Sequence, residues 1–219
     1  MGLYNSSKKS PPVSGPYKDS ATNLIYNLLF CDDPDLFKTN TKPPYPYPFD
    51  ILFTAEATAA DLQKITEDDT AEPRIRLLAC NRLLAKGEQP KKELLAVIVE
   101  VGLDEGLDVL ASFKDGTARY INYTGQMIIW ENTTDAKANE LKDDLFAKSA
   151  AVVKLIGPWD QPRKPHPAKG NVRLSFLLSD GLYFGEGPIH VLFNDPMASA
   201  PLNSATLLMQ YLMQQTKQP

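Results

Sequence analysis

Histidine and cysteine are scarce in this sequence, and with them the common ligands of structural metal sites. Its 219 residues include two histidines and two cysteines. His166 and His190 stand far apart, and the sequence contains no H-E-x-x-H, no C-x-x-C and no EF-hand loop. We therefore expect no metal and no cofactor. His190 has apolar neighbours on both sides, which favours a hydrogen-bonded structural histidine over a catalytic one.

Long apolar stretches and a disulfide framework are also missing. The longest apolar run is Leu94–Val99, far short of the roughly 20 residues that cross a bilayer. The first residues lack the apolar segment of a secretory signal. Cys31 and Cys80 lie in apolar, helix-like contexts, which favours reduced thiols in a cytoplasmic protein.

The N-terminus carries one short lipidation pattern. Gly2 follows the initiator Met, Ser6 stands at the required position, and Lys8 and Lys9 add positive charge. The pattern matches a myristoylation site in outline, but a polar disordered tail over residues 1–18 is the favoured interpretation. We therefore expect no membrane partner.

A strong field of one sign is absent as well. Lys and Arg number 23 and Asp and Glu 27, so the net charge of this acidic chain is 23 − 27 = −4. We expect no nucleic-acid partner, because such partners are attracted by a basic surface. Trp159 and Arg163 belong to a locally basic loop, residues 158–170, and are candidates for holding a ring or an anion. A solvated loop is the favoured alternative.

Motifs of nucleophilic catalysis and phosphate binding are likewise missing, since there is no G-x-S-x-G, Walker or dinucleotide fingerprint. The remaining candidate chemistry is a set of carboxylates around the loop at 102–106. They would suit a divalent cation or an acid/base pair, and a solvated hairpin tip is the favoured alternative. The set comprises Glu100, Asp104, Glu105 and Asp108.

Hydrophobic periodicity divides the chain into a tail (1–18), a helical N-terminal section (19–90) and an α+β core (91–219), with the helical section docked on the core as one compact domain. In the core the apolar period changes from 3.6 to 2, which predicts a four-stranded meander, a long helix, about three more strands and a final helix. The predicted strands are Leu94–Val101, Leu107–Lys114, Thr117–Thr124, Met127–Glu131, Val172–Leu178, Leu182–Phe184 and Ile189–Phe193.

This order predicts an α+β fold with one mainly antiparallel sheet of up to seven strands and helices on one face. Two tight turns, at Asp115-Gly116 and Gly125-Gln126, set the expected strand pairing. If each is a two-residue turn, Ser112 opposes Arg119 and Asp108 opposes Tyr123. One face of the meander then carries a mixed set of charged, aromatic and aliphatic side chains. Its interaction candidates are Asp108, Arg119, Tyr123 and Trp130.

Two functions remain open. The first is a non-catalytic cytoplasmic interaction or accessory protein that uses the mixed face, with a homodimer as one version. Charge reversal of Arg119 together with Trp130→Ala is then expected to weaken association and leave the fold intact. The opposing interpretation is that N-terminal helices cover this face and Asp108 and Arg119 form a structural pair.

The second function is a small-molecule binding protein or hydrolytic enzyme. Its site would lie where the loops at 102–106, 158–170 and 185–188 meet, which requires these segments to converge at one end of the sheet. Glu100 and Asp108 would act as acid/base groups or cation ligands, and His190 would relay a proton. Arg163 or Arg119 would hold an anion.

Overall fold

The computed structural model describes residues 15–38 and 42–216. Within them lies one six-stranded antiparallel sheet, and the predicted α+β class with an N-terminal helical part is confirmed. The lipidation pattern at Gly2 lies outside the described residues. The strands are β1 (Leu94–Gly102), β2 (Leu107–Phe113), β3 (Ala118–Ile121), β4 (Met127–Trp130), β5 (Asn171–Leu178) and β6 (Gly181–Pro188), in the spatial order β4-β3-β2-β1-β5-β6.

The helices begin at residues that cap them. Asp19 accepts a hydrogen bond from the backbone N–H of Thr22, Thr58 and Asp61 form a capping box, and Asp135 caps the long helix. The helices are α1 (Ser20–Leu28), α2 (Pro34–Phe37), α3 (Phe49–Phe53), α4 (Ala59–Glu67), α5 (Pro73–Ala85), α6 (Ala136–Val153), α7 (Ile189–Leu192) and α8 (Ser199–Gln215).

The sheet is covered on both faces, so the expectation of helices on one face is wrong. Alternate residues of β1 supply two separate cores. Ile98 packs in the core with α1, α4 and α5, whereas Val97 and Val99 pack in the core with α6 and α8. The physical reason is that β1 is apolar at nearly every position, and a strand buried on both faces needs such a sequence.

The expected seventh strand, Ile189–Phe193, is a short helix instead. The strand β6 extends through the glycines and ends at Pro188, where the chain turns into α7. Apolar residues flanking His190 on both sides fit a strand and a helical turn equally well, so periodicity alone could not separate them. His190 lies exposed on α7.

The two hairpins of the meander have three-residue loops, so the predicted pairing is wrong. Gly116 has φ +94°, and its N–H donates to the carbonyl of Phe113 at 3.1 Å. The loop is thus a turn followed by a left-handed residue that forms a β-bulge, and Ser112 faces Ala118 rather than Arg119.

The second hairpin repeats this geometry. Gly125 has φ +88° and donates its N–H to the carbonyl of Asn122 at 2.8 Å. Because each loop has three residues instead of the expected two, every side chain of β3 lies on the opposite face of the sheet from the one predicted. Arg119 therefore lies on the face of the N-terminal helices, and Tyr120 lies on the face of α6 and α8.

Gly125→Ala is expected to lower the free energy of unfolding by about 1 kcal/mol, because an L side chain is strained at positive φ. The space itself is free, since a Cβ at this position would lie 3.7 Å from its nearest neighbour, Thr22. Urea denaturation measures the loss. Gly157→Ala is the matched control, because Gly157 has open space and no positive φ, and an equal loss in both variants would contradict the argument.

The described chain is anchored before the expected end of the N-terminal tail. Tyr17 is buried, and its hydroxyl donates to the backbone carbonyl of Leu107 at 2.9 Å. Its ring also packs edge-to-face on Tyr26. The first residue of β2 is therefore held by a side chain that comes before α1.

Candidate functional site

The four interaction candidates do not share one face. Arg119 is 6% exposed, on the face of the N-terminal helices. Its guanidinium donates to the carbonyls of Ala118 at 2.8 Å and Trp130 at 3.2 Å, and it forms an ion pair with Glu131. Burial lowers the pKa of Arg119, and the neighbouring charge of Arg74 lowers it further. This arginine holds the start of β3 to the end of β4.

Asp108 lies on the opposite face and orients the neighbouring hairpin. Its carboxylate accepts hydrogen bonds from the hydroxyl of Tyr120 at 3.1 Å and from the backbone N–H of Tyr123 at 2.7 Å. Burial, followed by the charge of Asp108, raises the pKa of Tyr120. The expected alternative, a structural pair between Asp108 and Arg119, is therefore wrong, because the sheet separates the two side chains.

The other two candidates flank the outer strand of the sheet. Tyr123 is exposed in the loop before β4. Trp130 is half-buried at the end of β4, where its ring packs edge-to-face on Tyr211 of α8 with 6.5 Å between the ring centroids. These two residues thus mark the ends of one sheet edge.

The edge at β4 has unpaired backbone groups. The N–H of Asn122 donates to the carbonyl of Gln126 at 2.9 Å, and hydrogen-bonded pairs alternate along an antiparallel ladder. Ile128 therefore pairs with β3, whereas Met127 and Ile129 direct their N–H and C=O groups away from it. Within residues 15–38 and 42–216, nothing hydrogen-bonds to these outward groups. We call the backbone and side chains of Met127 and Ile129 the open edge.

The open edge is apolar and accessible. Ile129 is 58% exposed. A surface depression of about 570 Å³ runs beside it, between β4 and the end of α8. The strand has only four residues, and shortness limits edge pairing, but it contains no Lys, no Pro and no bulge, which are the other common protective features. The depression is lined by Tyr120, Asn122, Gln126, Met127, Ile128, Ile129, Met213 and Thr216.

The other outer strand, β6, is occupied near its start. The backbone N–H of Trp159 donates to the carbonyl of Leu182 at 2.7 Å, and the Trp159 ring packs edge-to-face on Phe184 at 5.2 Å. Gly185 and Pro188 further weaken this strand as a pairing template. Trp159 thus covers an edge, a role that its position in a basic loop does not indicate.

A buried charged cluster lies between the sheet and α1. Glu100 is 0% exposed, and the hydroxyl of Tyr26 donates to its Oε1 at 2.6 Å. Its Oε2 accepts no hydrogen bond from the described residues and lies 3.6 Å from Nη1 of Arg173. Burial raises the pKa of Glu100, and the charge of Arg173 opposes this effect. Arg173 in turn donates to Glu186 at 2.7 Å.

Arg163 closes this cluster from the loop. Its guanidinium donates to Asp32 at 2.6 Å and to Asn27 at 2.9 Å, and it lies 4.0 Å above the ring of Phe30. Of the four ligand-site candidates, the structure therefore brings together Glu100 and Arg163. Arg163 is engaged in holding the loop against α1, and a solute cannot reach the fully buried Glu100 in this conformation.

Parts of the predicted loop site do meet. The N–H of Gly170 donates to the carbonyl of Gly102, the N–H of Ile189 donates to that of Gly170, both at 2.9 Å, and Lys169 pairs with Asp104 at 2.6 Å. These segments surround an open depression of about 580 Å³. Neither Glu100 nor Arg163 lines it, and no group of three metal-ligating side chains occurs in the described parts of the chain.

Comparisons with known proteins identify no family for this chain. Among the described helices, none combines the length and the apolar character of a membrane span. No protein-family model matches the sequence, and no curated protein matches it significantly.

Proposed function

We propose that this protein is a non-catalytic interaction or accessory protein, and that its docking element is the open edge. The observation that carries the proposal is the pair of outward-facing backbone units at Met127 and Ile129 beside the exposed side chain of Ile129. An extended segment of a partner would add to the sheet as a seventh strand. Its backbone would supply the affinity and its alternate side chains the specificity.

The chemistry of the edge defines the partner. All four residues of β4 are uncharged and favour strands. Glu131, the nearest charged residue in the chain, is neutralised by Arg119. The matching segment is therefore short, extended, and rich in apolar or β-branched side chains. Tyr123 and Trp130, which the sequence singled out, flank the position that it would occupy.

We keep the cytoplasm as the proposed compartment. Cys31 and Cys80 are both free and buried, and their Sγ atoms belong to the core beneath α5. Burial raises the pKa of both thiols, and this makes them less reactive towards oxidants. A fold with two buried thiols and no cross-link suits a reducing environment.

Site-specific photo-crosslinking tests the docking element. A benzoylphenylalanine residue at position 129 of the full chain, irradiated in living cells, is expected to give defined protein adducts. The same residue at position 155 is the control, because Leu155 is 68% exposed but lies at the end of α6, away from β4. Adducts that are absent at 129, or identical from both positions, would contradict the proposal.

Ile129→Lys provides a second test. The substitution places a charge on the pairing edge without disturbing an inward hydrogen bond, so it is expected to abolish adduct formation from a photoreactive residue at position 127. The melting temperature should change little, because Ile129 is exposed. Leu155→Lys is the matched control and should leave the adducts unchanged.

Small-molecule binding is the second candidate, favoured by the meeting of the loops around the 580 Å³ depression. Its charged groups are Asp104, Glu105 and Lys169, of which Asp104 and Lys169 neutralise each other. A ligand there would raise the melting temperature of the wild-type protein and not that of Asp104→Ala. A panel of polar metabolites that gives no shift would remove this candidate.

A further inference from the structure

We infer that the strand added at the open edge is β4 of a second copy of this chain, so that two six-stranded sheets join into one. The inference rests on the proposed function, because it names the partner of the same edge. It follows from which backbone groups of β4 are free, from the charges along the strand, and from the condition of the other sheet edge.

The free backbone groups fix one register. Met127 and Ile129 are two residues apart, and both direct their N–H and C=O groups outward. A two-fold axis through Ile128 places Met127 opposite Ile129 of the second copy, and Ile129 opposite Met127 of the second copy. Each of these pairs exchanges two hydrogen bonds, so the junction gains about four.

Registers shifted by two residues are less favourable. A shift in one direction uses the backbone of Glu131, whose carbonyl already accepts a hydrogen bond from Thr133 at 3.0 Å. A shift in the other direction uses Gly125, whose N–H is already donated to Asn122 within the turn. Only the register centred on Ile128 uses groups that have no other partner in the described residues.

The charges are compatible with this register. Uncharged residues of β4 face uncharged residues of the second copy, and Glu131 falls opposite Gly125 of the second copy. The two Glu131 residues are then offset by 131 − 125 = 6 positions, roughly 20 Å along the strand. This separation exceeds the Debye length of about 8 Å at physiological salt, so the two carboxylates do not oppose association.

As a partner for the open edge, β4 of a second copy is more suitable than β6 of a second copy. A partner strand must be short, apolar and free on one side, and β4 itself has these properties. The outer edge of β6 does not, because the N–H of Trp159 already occupies the carbonyl of Leu182 and the end of the strand carries Gly187 and Pro188. Pairing of like edges is therefore the arrangement that the described surface supports.

Cysteine cross-linking tests the register in the full chain. In this arrangement the two Ile128 residues face each other in a non-hydrogen-bonded pair, with Cα atoms about 4.5 Å apart. This distance lies within the range of a disulfide. Under mild oxidation, Ile128→Cys is expected to form a covalent dimer of twice 24.3 kDa, which reductant returns to monomer. The native cysteines are buried and serve as the background in the wild-type chain.

Ile129→Cys is the matched control, because the two Cys at this position are offset by two residues along the strand. It should cross-link at least tenfold more slowly than Ile128→Cys. A mixture of Met127→Cys and Ile129→Cys chains should cross-link rapidly, because the register pairs these positions. Equal rates for Ile128→Cys and Ile129→Cys would overturn the register.

Sedimentation of the unmodified chain tests the association itself. The wild type is expected to sediment as a dimer, and Ile129→Pro as a folded monomer with an unchanged circular dichroism spectrum. Proline removes an outward N–H at this position and no hydrogen bond to β3. Should Ile129→Pro unfold, Ile129→Lys provides the same comparison.

The outcomes separate this inference from the proposed function. A monomeric wild type that still gives photo-adducts of other masses at position 129 would overturn the dimer and support the proposed function. A monomeric wild type with no adduct would overturn both. A sedimenting dimer whose photo-adduct maps to Met127 of a second copy supports both.

Discussion

Arg173→Met is expected to lower the free energy of unfolding by about 3–5 kcal/mol at neutral pH, because it removes the cation from a buried ion pair. Arg173 is buried between Glu100 and Glu186, and its guanidinium also donates to the carbonyls of Lys164 and Pro165. Methionine retains much of the apolar volume. The loss therefore reports on charge and hydrogen bonding more than on packing.

A double-mutant cycle separates the loss of charge pairing from the change in packing. Glu100→Gln alone removes the buried charge and keeps an acceptor for the hydroxyl of Tyr26. Combined with Arg173→Met, it is expected to recover at least half of the loss, since the uncompensated carboxylate is no longer present. Urea denaturation at fixed pH measures all four proteins. A strictly additive double variant would contradict electrostatic coupling between Glu100 and Arg173.

The raised pKa of Glu100 makes the free energy of unfolding depend on pH. Burial raises this pKa above the ordinary value of 4.5, so in the pH range between the two values the folded protein binds a proton that the unfolded chain has lost. The contribution to stability is fully present below pH 4.5 and is lost as pH rises through the folded pKa. Relative to Glu100→Gln, the wild type should therefore lose stability over that window and then reach a plateau.

The order of elements is readable from the sequence because it depends on local patterns. The change of apolar period after Pro90, the cap at Asp19 and the helix end at Gly87 each involve neighbouring residues. The arrangement of helices on the two faces of the sheet is harder to predict from the sequence. A run of apolar residues such as β1 indicates burial on both faces, and this signal was present, but which helices cover each face depends on contacts between distant segments.

The hairpin register shows where local patterns become ambiguous. An Asp-Gly pair favours a two-residue turn, yet the same glycine also fits the left-handed position of a three-residue loop. The two loops differ by one residue in length, and one residue moves every side chain of β3 to the other face. The second turn also lies earlier than predicted, because its loop is residues 123–125 and Gln126 pairs with Asn122 in the ladder. The mixed face was therefore misassigned, and Arg119 lies in the interior.

The buried charged cluster around Glu100 could not be predicted from the sequence, for a different reason. The sequence groups Glu100 with the carboxylates around the loop at 102–106, for which a solvated hairpin tip is the favoured alternative, but its side chain is fully buried within β1. Its partners, Tyr26 and Arg173, are more than 70 positions away in either direction. Two of the predicted ligand candidates, Glu100 and Arg163, thus meet for a structural purpose that spacing along the chain does not show.

Arg119→Glu is expected to lower the free energy of unfolding by about 3–5 kcal/mol, in contrast to the neutral effect that an exposed position would give. The arginine is buried, and its guanidinium donates to the carbonyls of Ala118 and Trp130 and to the carboxylate of Glu131. Glutamate would leave both carbonyls without this donor and would place a second negative charge beside Glu131. Chemical denaturation of the two proteins measures the difference.

Two further variants decide between a buried and an exposed Arg119. Arg119→Met retains the apolar stem and adds no charge, so it should fold and lose about 1–3 kcal/mol, because the hydrogen bonds of the guanidinium are removed. Lys137→Glu, a charge reversal at an exposed position of α6, should cost no more than about 1 kcal/mol. If Arg119→Glu is as stable as Lys137→Glu, then the side chain is solvated, β3 has the register of a two-residue turn, and the mixed face returns as the candidate docking surface.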